Sequence, residues 1–211
     1  MDELFKLIDF IINEHEKFSK VFFHKQKFNL KKTQVCDVIS ENHQPNGEFL
    51  VLLSDYRKSV DTSYTQENFD KLGIRISNNN PRMRVKVQDS ITNKLAYYLL
   101  KKERGEFPIN KVLNDILGFR FIMASDETYQ QIEMQIRQHY LKAGKLFRIY
   151  QRNEENYHAL HLHFKSQCNY YFPWELQIWR HQDSVANELS HKKHKEKRAY
   201  VIWTEIHEEG R

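Results

Sequence analysis

The residues of this 211-residue chain best placed to do chemistry are two carboxylates and a set of aligned cations. Asp115 stands immediately before one alternating apolar stretch, and Glu175 lies inside another, between aromatic and aliphatic neighbours. On neighbouring strands of one sheet, such a pair could hold a divalent metal, and a pinned Glu175 could act as a general base. Arg82, Arg84 and Lys86 alternate along an extended segment, so all three point one way. Lys94 follows one helical turn beyond Ser90, on the same face. Arg120 and Arg148 add positive charge from two further strands. Cations of matched direction suit a polyphosphate, and arginine supplies bidentate contacts. A charged strand edge that blocks aggregation has the same composition. His161 and His163 share a strand face, as two ligands of Zn²⁺ or Fe²⁺ would, but His158 falls on the other face and no cysteine is near. These histidines read as surface or substrate-contacting residues.

The elements that must position these groups follow from hydrophobic period. Leu4, Leu7, Ile8, Ile11 and Ile12 make the stripe of an amphipathic helix, which Phe18, Phe22 and Phe23 extend towards a basic stretch from Lys25 to Lys32. The turn signal Pro45-Asn46-Gly47 precedes a predicted strand over Glu48 to Leu53. A helix is expected over 61–72, stopped by Gly73, and the polar run from Ser77 to Pro81 is the best internal boundary. Asp89 or Ser90 is expected to cap a helix carrying Ile91, Leu95, Tyr98 and Leu99 that ends at Gly105. Leu117 to Ala124 reads as a strand, followed by a helix capped by Ser125 and closed by Gly144. Strands follow over Lys145 to Gln151, His158 to Lys165 and Tyr170 to Trp179. In the last two, Leu160, Leu162, Phe164, Trp174, Leu176 and Ile178 take the core side, leaving His161, His163, Glu175 and Gln177 on the polar side. A helix from about Gln182 to Arg198 carries the basic run that begins at His191. Intermixed strands and helices predict an α/β or α+β fold around one mixed sheet.

Composition limits the functional classes. There are 33 Lys and Arg against 28 Asp and Glu, a net charge of +5, which suits either an anionic partner or an ordinary basic surface. With 40% hydrophobic residues the chain can build a core, and its length suits one domain with an appendage. No apolar run approaches the roughly 20 residues of a membrane span. Two cysteines, Cys36 and Cys168, exclude a disulfide framework. The start Met1-Asp2-Glu3-Leu4 lacks a secretory pattern, so a soluble cytoplasmic protein is expected. The six glycines are too far apart for GxxxxGK[ST] or GxGxxG, so any bound phosphate must be held by side chains.

The order of these pieces resembles a known family. Arg84 to Leu95 is similar to the RxKxxxSIxxKL signature of RelA/SpoT-type alarmone synthetases, and Asp115 to Arg120 to the DIxGxR strand entry. Tyr157 to His161 resembles the GYxxLH loop, and Glu175 to Arg180 the ExQIR strand. The resemblance covers residues 82–198 and departs from the family at Asn156, where a glycine is usual, and at Glu154 and Glu155 just before it. It implies a helical N-terminal extension over 1–80 and, over 81–211, a nucleotidyltransferase-like mixed sheet with a basic C-terminal helix. The implied activity is pyrophosphate transfer from ATP to a ribose 3′-hydroxyl, releasing AMP. Arg84, Lys86, Ser90, Lys94, Arg120 and Arg148 would bind ATP, with Lys86 exposed. Asp115 and Glu175 would be catalytic and hold Mg²⁺. Tyr157 would stack on the acceptor base, with His161 and Gln177 beside it.

Three functions follow as expectations. The first is a stand-alone synthetase that makes (p)ppGpp from GDP or GTP; no His-Asp dyad of a hydrolase half is present. The second is a toxin-type enzyme acting on the 3′-CCA end of tRNA, with the basic stretches near Lys25 and Lys192 touching RNA and an antitoxin as partner. The third is a non-catalytic basic nucleic-acid-binding module. A homo-oligomer is compatible with each.

Overall fold

The computed structural model describes residues 1–22, 27–39, 46–65, 67, 70, 81–141, 147–166 and 168–193. The first helix, α1 (Asp2–Phe22), follows its stripe: Leu4, Leu7, Ile8, Ile11, Phe18 and Phe22 are buried. A one-turn helix α2 (Val35–Val38) and the longer α3 (Gly47–Ser63) come next. Helix α3 corrects the expected strand over Glu48 to Leu53. Asn46 Oδ1 accepts a hydrogen bond from the Phe49 amide at 3.2 Å and caps the helix. The buried residues then run Phe49, Leu52, Leu53, Tyr56, Val60, a helical period that continues well past the short apolar run, while Val51 stays exposed. Helix α3 ends at Ser63, so the helix expected over 61–72 is not continuous with it, and Gly73 lies outside the described residues.

Five strands form one mixed sheet: β1 (Arg82–Val85), β2 (Leu117–Met123), β3 (Phe147–Glu154), β4 (Tyr157–Phe164) and β5 (Trp174–Arg180). Their order is β1-β2-β5-β4-β3, antiparallel throughout except for the parallel pair β2 and β5. Between β1 and β2 lie α4 (Gln88–Lys101) and the short α5 (Ile109–Val112). Helix α4 differs at both ends from expectation. Val87 is its N-cap, so Asp89 and Ser90 sit inside its first turn. It stops at Lys101, before a separate 3₁₀ turn that carries Gly105 at φ 78°. A Cβ at Gly105 would stand 3.1 Å from the Cys36 amide nitrogen, so this position requires glycine on both counts.

Helix α6 (Tyr129–Leu141) starts later than Ser125. Thr128 and Gln131 bond each other's amides reciprocally there, as a capping box does. Gly144 lies outside the described residues. The hairpin joining β3 and β4 turns on Glu155 and Asn156, neither with positive φ, so the left-handed tolerance of asparagine is not used. Strand β5 begins only at Trp174, right after Pro173, whose ring cannot donate to a ladder. A further helix, α7, covers 184–193, and the rest of the basic run lies outside the described residues.

The apolar face of the sheet is Phe119, Phe121, Leu160, Leu162, Phe164, Trp174, Leu176 and Ile178, in one core with α1 and α3. Trp174 donates its indole N–H to Tyr56 at 2.7 Å, and the buried His15 bonds the Phe172 carbonyl at 2.9 Å. Each fully buried aliphatic side chain there contributes roughly 1.5–3 kcal/mol. This packing pins the sheet from behind and leaves its other face for polar groups. Among the described residues, no helix is long and apolar enough to cross a membrane.

Candidate functional site

Strand register lines the candidate residues up in two rows across the polar face. One row reads Arg84, Gly118, Glu175, His163, Arg148 from β1 to β3. The next reads Arg82, Arg120, Gln177, His161, Tyr150. Residues scattered in sequence from Arg82 to Gln177 thus become neighbours about 5 Å apart, because side chains on paired strands share a face. Gly118 leaves the floor open between Arg84 and Glu175. A Cβ there would meet nothing of the protein nearer than the Arg84 carbonyl at 4.0 Å, so protein packing does not demand the glycine.

Asp115 sits at the entry to β2 and is held by two ammonium groups. Lys86 bonds its Oδ2, and Lys94 its Oδ1 at 3.0 Å, with Lys94 also reaching Asn114 Oδ1 at 3.3 Å. Burial alone would raise the Asp115 carboxyl, but Lys94 and Lys86 outweigh it and hold the group well below the usual carboxylate range. Lys86 is 5% exposed, not the open lysine expected. The reason is its position one residue past β1, where its amide bonds the Ile116 carbonyl at 2.8 Å and its side chain meets Asp115. Burial lowers its pKa to about 8 despite Asp115 beside it.

Glu175 belongs to a closed ring of hydrogen bonds. His161 Nδ1 lies 2.8 Å from Glu175 Oε1, and Gln177 Nε2 donates to Oε2 at 2.8 Å. Tyr157 Oη is 3.0 Å from His161 Nε2 and 3.5 Å from Gln177 Oε1, which closes the ring. Burial pushes the Glu175 carboxyl up, but the His161 bond and charge overcome it and keep the group ionised. An ionised carboxylate only accepts, so the bond to Glu175 is donated from His161 Nδ1. His163 lies 3.6 Å from the same Oε1, and burial lowers its pKa to about 4. Tyr150 stacks over both imidazoles, with centroids 5.3 Å and 5.5 Å away.

Other candidates are placed differently. Tyr157 is 3% exposed, in a small cluster with Ala159 and Trp179, so its ring offers no open face for a base. Helix α7 causes this. Asn187, fully buried, bonds both the amide and the carbonyl of His158, which seats His191 edge-on to Tyr157 and stacked on Trp179. Arg120 lies 3.6 Å above the Trp179 ring and pairs with Glu188 of α7 at 2.5 Å. Arg84 and Arg148 are exposed, and Ser90 is half-buried in the first turn of α4. Tyr150 and Glu188 were not singled out from sequence, and His191 was read only as part of a basic run. Tyr150 could have been, since it alternates with Arg148 on one strand face, whereas nothing local marks Glu188.

Of the histidines expected at the surface or against substrate, His161 and His163 are buried against Glu175, while His158 is half-buried beside Asn153. No protein-family model matches this chain, and no curated protein matches it.

Proposed function

We propose that the chain transfers pyrophosphate from ATP to a ribose 3′-hydroxyl, on a nucleotidyltransferase-like sheet, with GDP or GTP as acceptor. The observation that carries this reading is the transverse row that sets the ionised Glu175 between Arg84 and Arg148 at the two sheet edges, with a second ionised carboxylate, Asp115, at the entry to β2. Pyrophosphoryl transfer asks mainly for alignment and charge neutralisation. Arg84 and Arg148 offer exposed guanidinium groups, while Lys86 and Lys94 reside on Asp115. Arriving phosphates would draw these ammonium groups off Asp115 and leave its oxygens to a cation. The all-oxygen pair of Asp115 and Glu175 suits Mg²⁺, which would offset charge on the transferred phosphates. The acceptor hydroxyl attacks the β-phosphorus as its proton passes to Glu175. The bond from the α,β-bridging oxygen to the β-phosphorus breaks, and AMP leaves.

One observation favours an RNA acceptor as a second reading. Lys165 is lowered first by burial and then by the charges of Arg148, Lys111 and Lys31. These cations gather beside Arg148, and a phosphate backbone could follow them. The test is to incubate the full chain with γ-labelled ATP and Mg²⁺, adding GDP, GTP or deacylated tRNA in turn. Label on GDP or GTP supports the first reading, and label on tRNA alone supports the second. No label on any acceptor, with RNA still bound, overturns both in favour of a binding module.

A further inference from the structure

We propose that His161, His163 and Glu175 form a binding site for a divalent transition-metal ion, with Zn²⁺ the best fit. The three come from adjacent strands, and one ligand atom of each lies within 4.8 Å of the others. Glu175 Oε1 is 2.8 Å from His161 Nδ1 and 3.6 Å from His163 Nε2. Donor atoms at about 2.0–2.2 Å from Zn²⁺ stand roughly 3–4 Å apart, so both separations are close to those of a loaded site. Two imidazoles with one carboxylate favour Zn²⁺ or Fe²⁺ over Mg²⁺, which prefers oxygen alone.

A second observation concerns His163 itself. It is 3% exposed, and its Nδ1 is buried without a hydrogen-bond partner. Among the described residues, its one hydrogen-bond partner is the Tyr150 hydroxyl, 3.2 Å from Nε2. The same Nε2 faces Glu175 Oε1 at 3.6 Å, too far for a hydrogen bond, and an ion between the two would give both a shared partner. His161, in contrast, already has the outer support that metal-bound imidazoles use. With a metal at Nδ1, Nε2 would donate to the Tyr157 oxygen, whose hydroxyl lies 3.5 Å from Gln177 Oε1. An ion there would also take Glu175 from any Mg²⁺, so the two metals would compete; the site itself does not depend on the transferase reading.

The test uses the metal-free full chain, titrated with Zn²⁺ by calorimetry and with Co²⁺ by its visible d–d absorption. One ion per chain is expected, with excess Mg²⁺ failing to displace it. Outer-shell changes alone cost about 10–100-fold in affinity, so His163→Gln should cost about a hundredfold or more. His181→Gln, at an exposed histidine, should cost nothing. Unchanged affinity in His163→Gln, or equal losses in both variants, would overturn the site. If His163→Gln does not fold, X-ray absorption of the Zn²⁺-loaded wild type decides. Two imidazoles with oxygen donors support the assignment, and any other imidazole count refutes it.

Discussion

The buried lysine at the site entrance gives the sharpest handle on its electrostatics. Lys86 has a folded pKa of about 8 against an ordinary 10.5, with burial as the cause. Between those values the unfolded chain binds the proton more tightly than the fold does. Stability therefore rises with pH across the window from about 8 to 10.5, and the gain is lost as pH falls through 8. At pH 7 the ionisation of Lys86 costs the fold about 3 kcal/mol, and at about pH 9.5 the cost is about 1 kcal/mol. The wild type should thus gain about 2 kcal/mol relative to Lys86→Met between these conditions. Methionine keeps the stem volume and removes the charge. Urea unfolding followed by circular dichroism, at half-unit pH steps, measures the difference. The comparison stays below pH 10 because Tyr56, Tyr64 and Tyr129, all raised first by burial, pull stability down above that pH. Parallel pH profiles for the two proteins would refute the claim that Lys86 is charged, buried and poised to leave Asp115.

Other perturbations test the remaining parts. Tyr157→Phe should lose about 1 kcal/mol through the His161 and Gln177 bonds, and Tyr157→Ala about 3–5 kcal/mol through its cavity. An alanine variant of undiminished stability in urea would return the ring to solvent and to base stacking. Glu188→Gln removes the carboxylate over Arg120, a half-exposed pair worth about 0.2–1 kcal/mol. A non-hydrolysable ATP analogue should then bind roughly 1.5–5-fold tighter by calorimetry; weaker binding would mean that Arg120 does not meet phosphate. Trp174→Phe strips the Tyr56 hydroxyl of its 2.7 Å donor in the core, so unfolding free energy should fall by about 1–3 kcal/mol. A neutral result there would show that the hydroxyl finds another partner.

Local pattern by itself determined which residues face which way. The period of two in β4 and β5 separated Leu160, Leu162, Leu176 and Ile178 from His161, His163, Glu175 and Gln177, because backbone pleat alone sets that alternation. The stripe from Leu4 to Ile11 likewise specified α1. Where a short apolar run fits both periods, as at Phe49 to Leu53, packing of Tyr56 and Val60 and the Asn46 cap chose helix. What only tertiary structure decided was proximity and cover. Register alone brings Glu175 opposite Gly118 and His163, since strand pairing depends on contacts remote in sequence. The docking of α7 through Asn187 buried Tyr157 and set Glu188 on Arg120. Lys86 and Lys94 meet on Asp115 because a buried carboxylate must be compensated by whatever cations the fold places within reach.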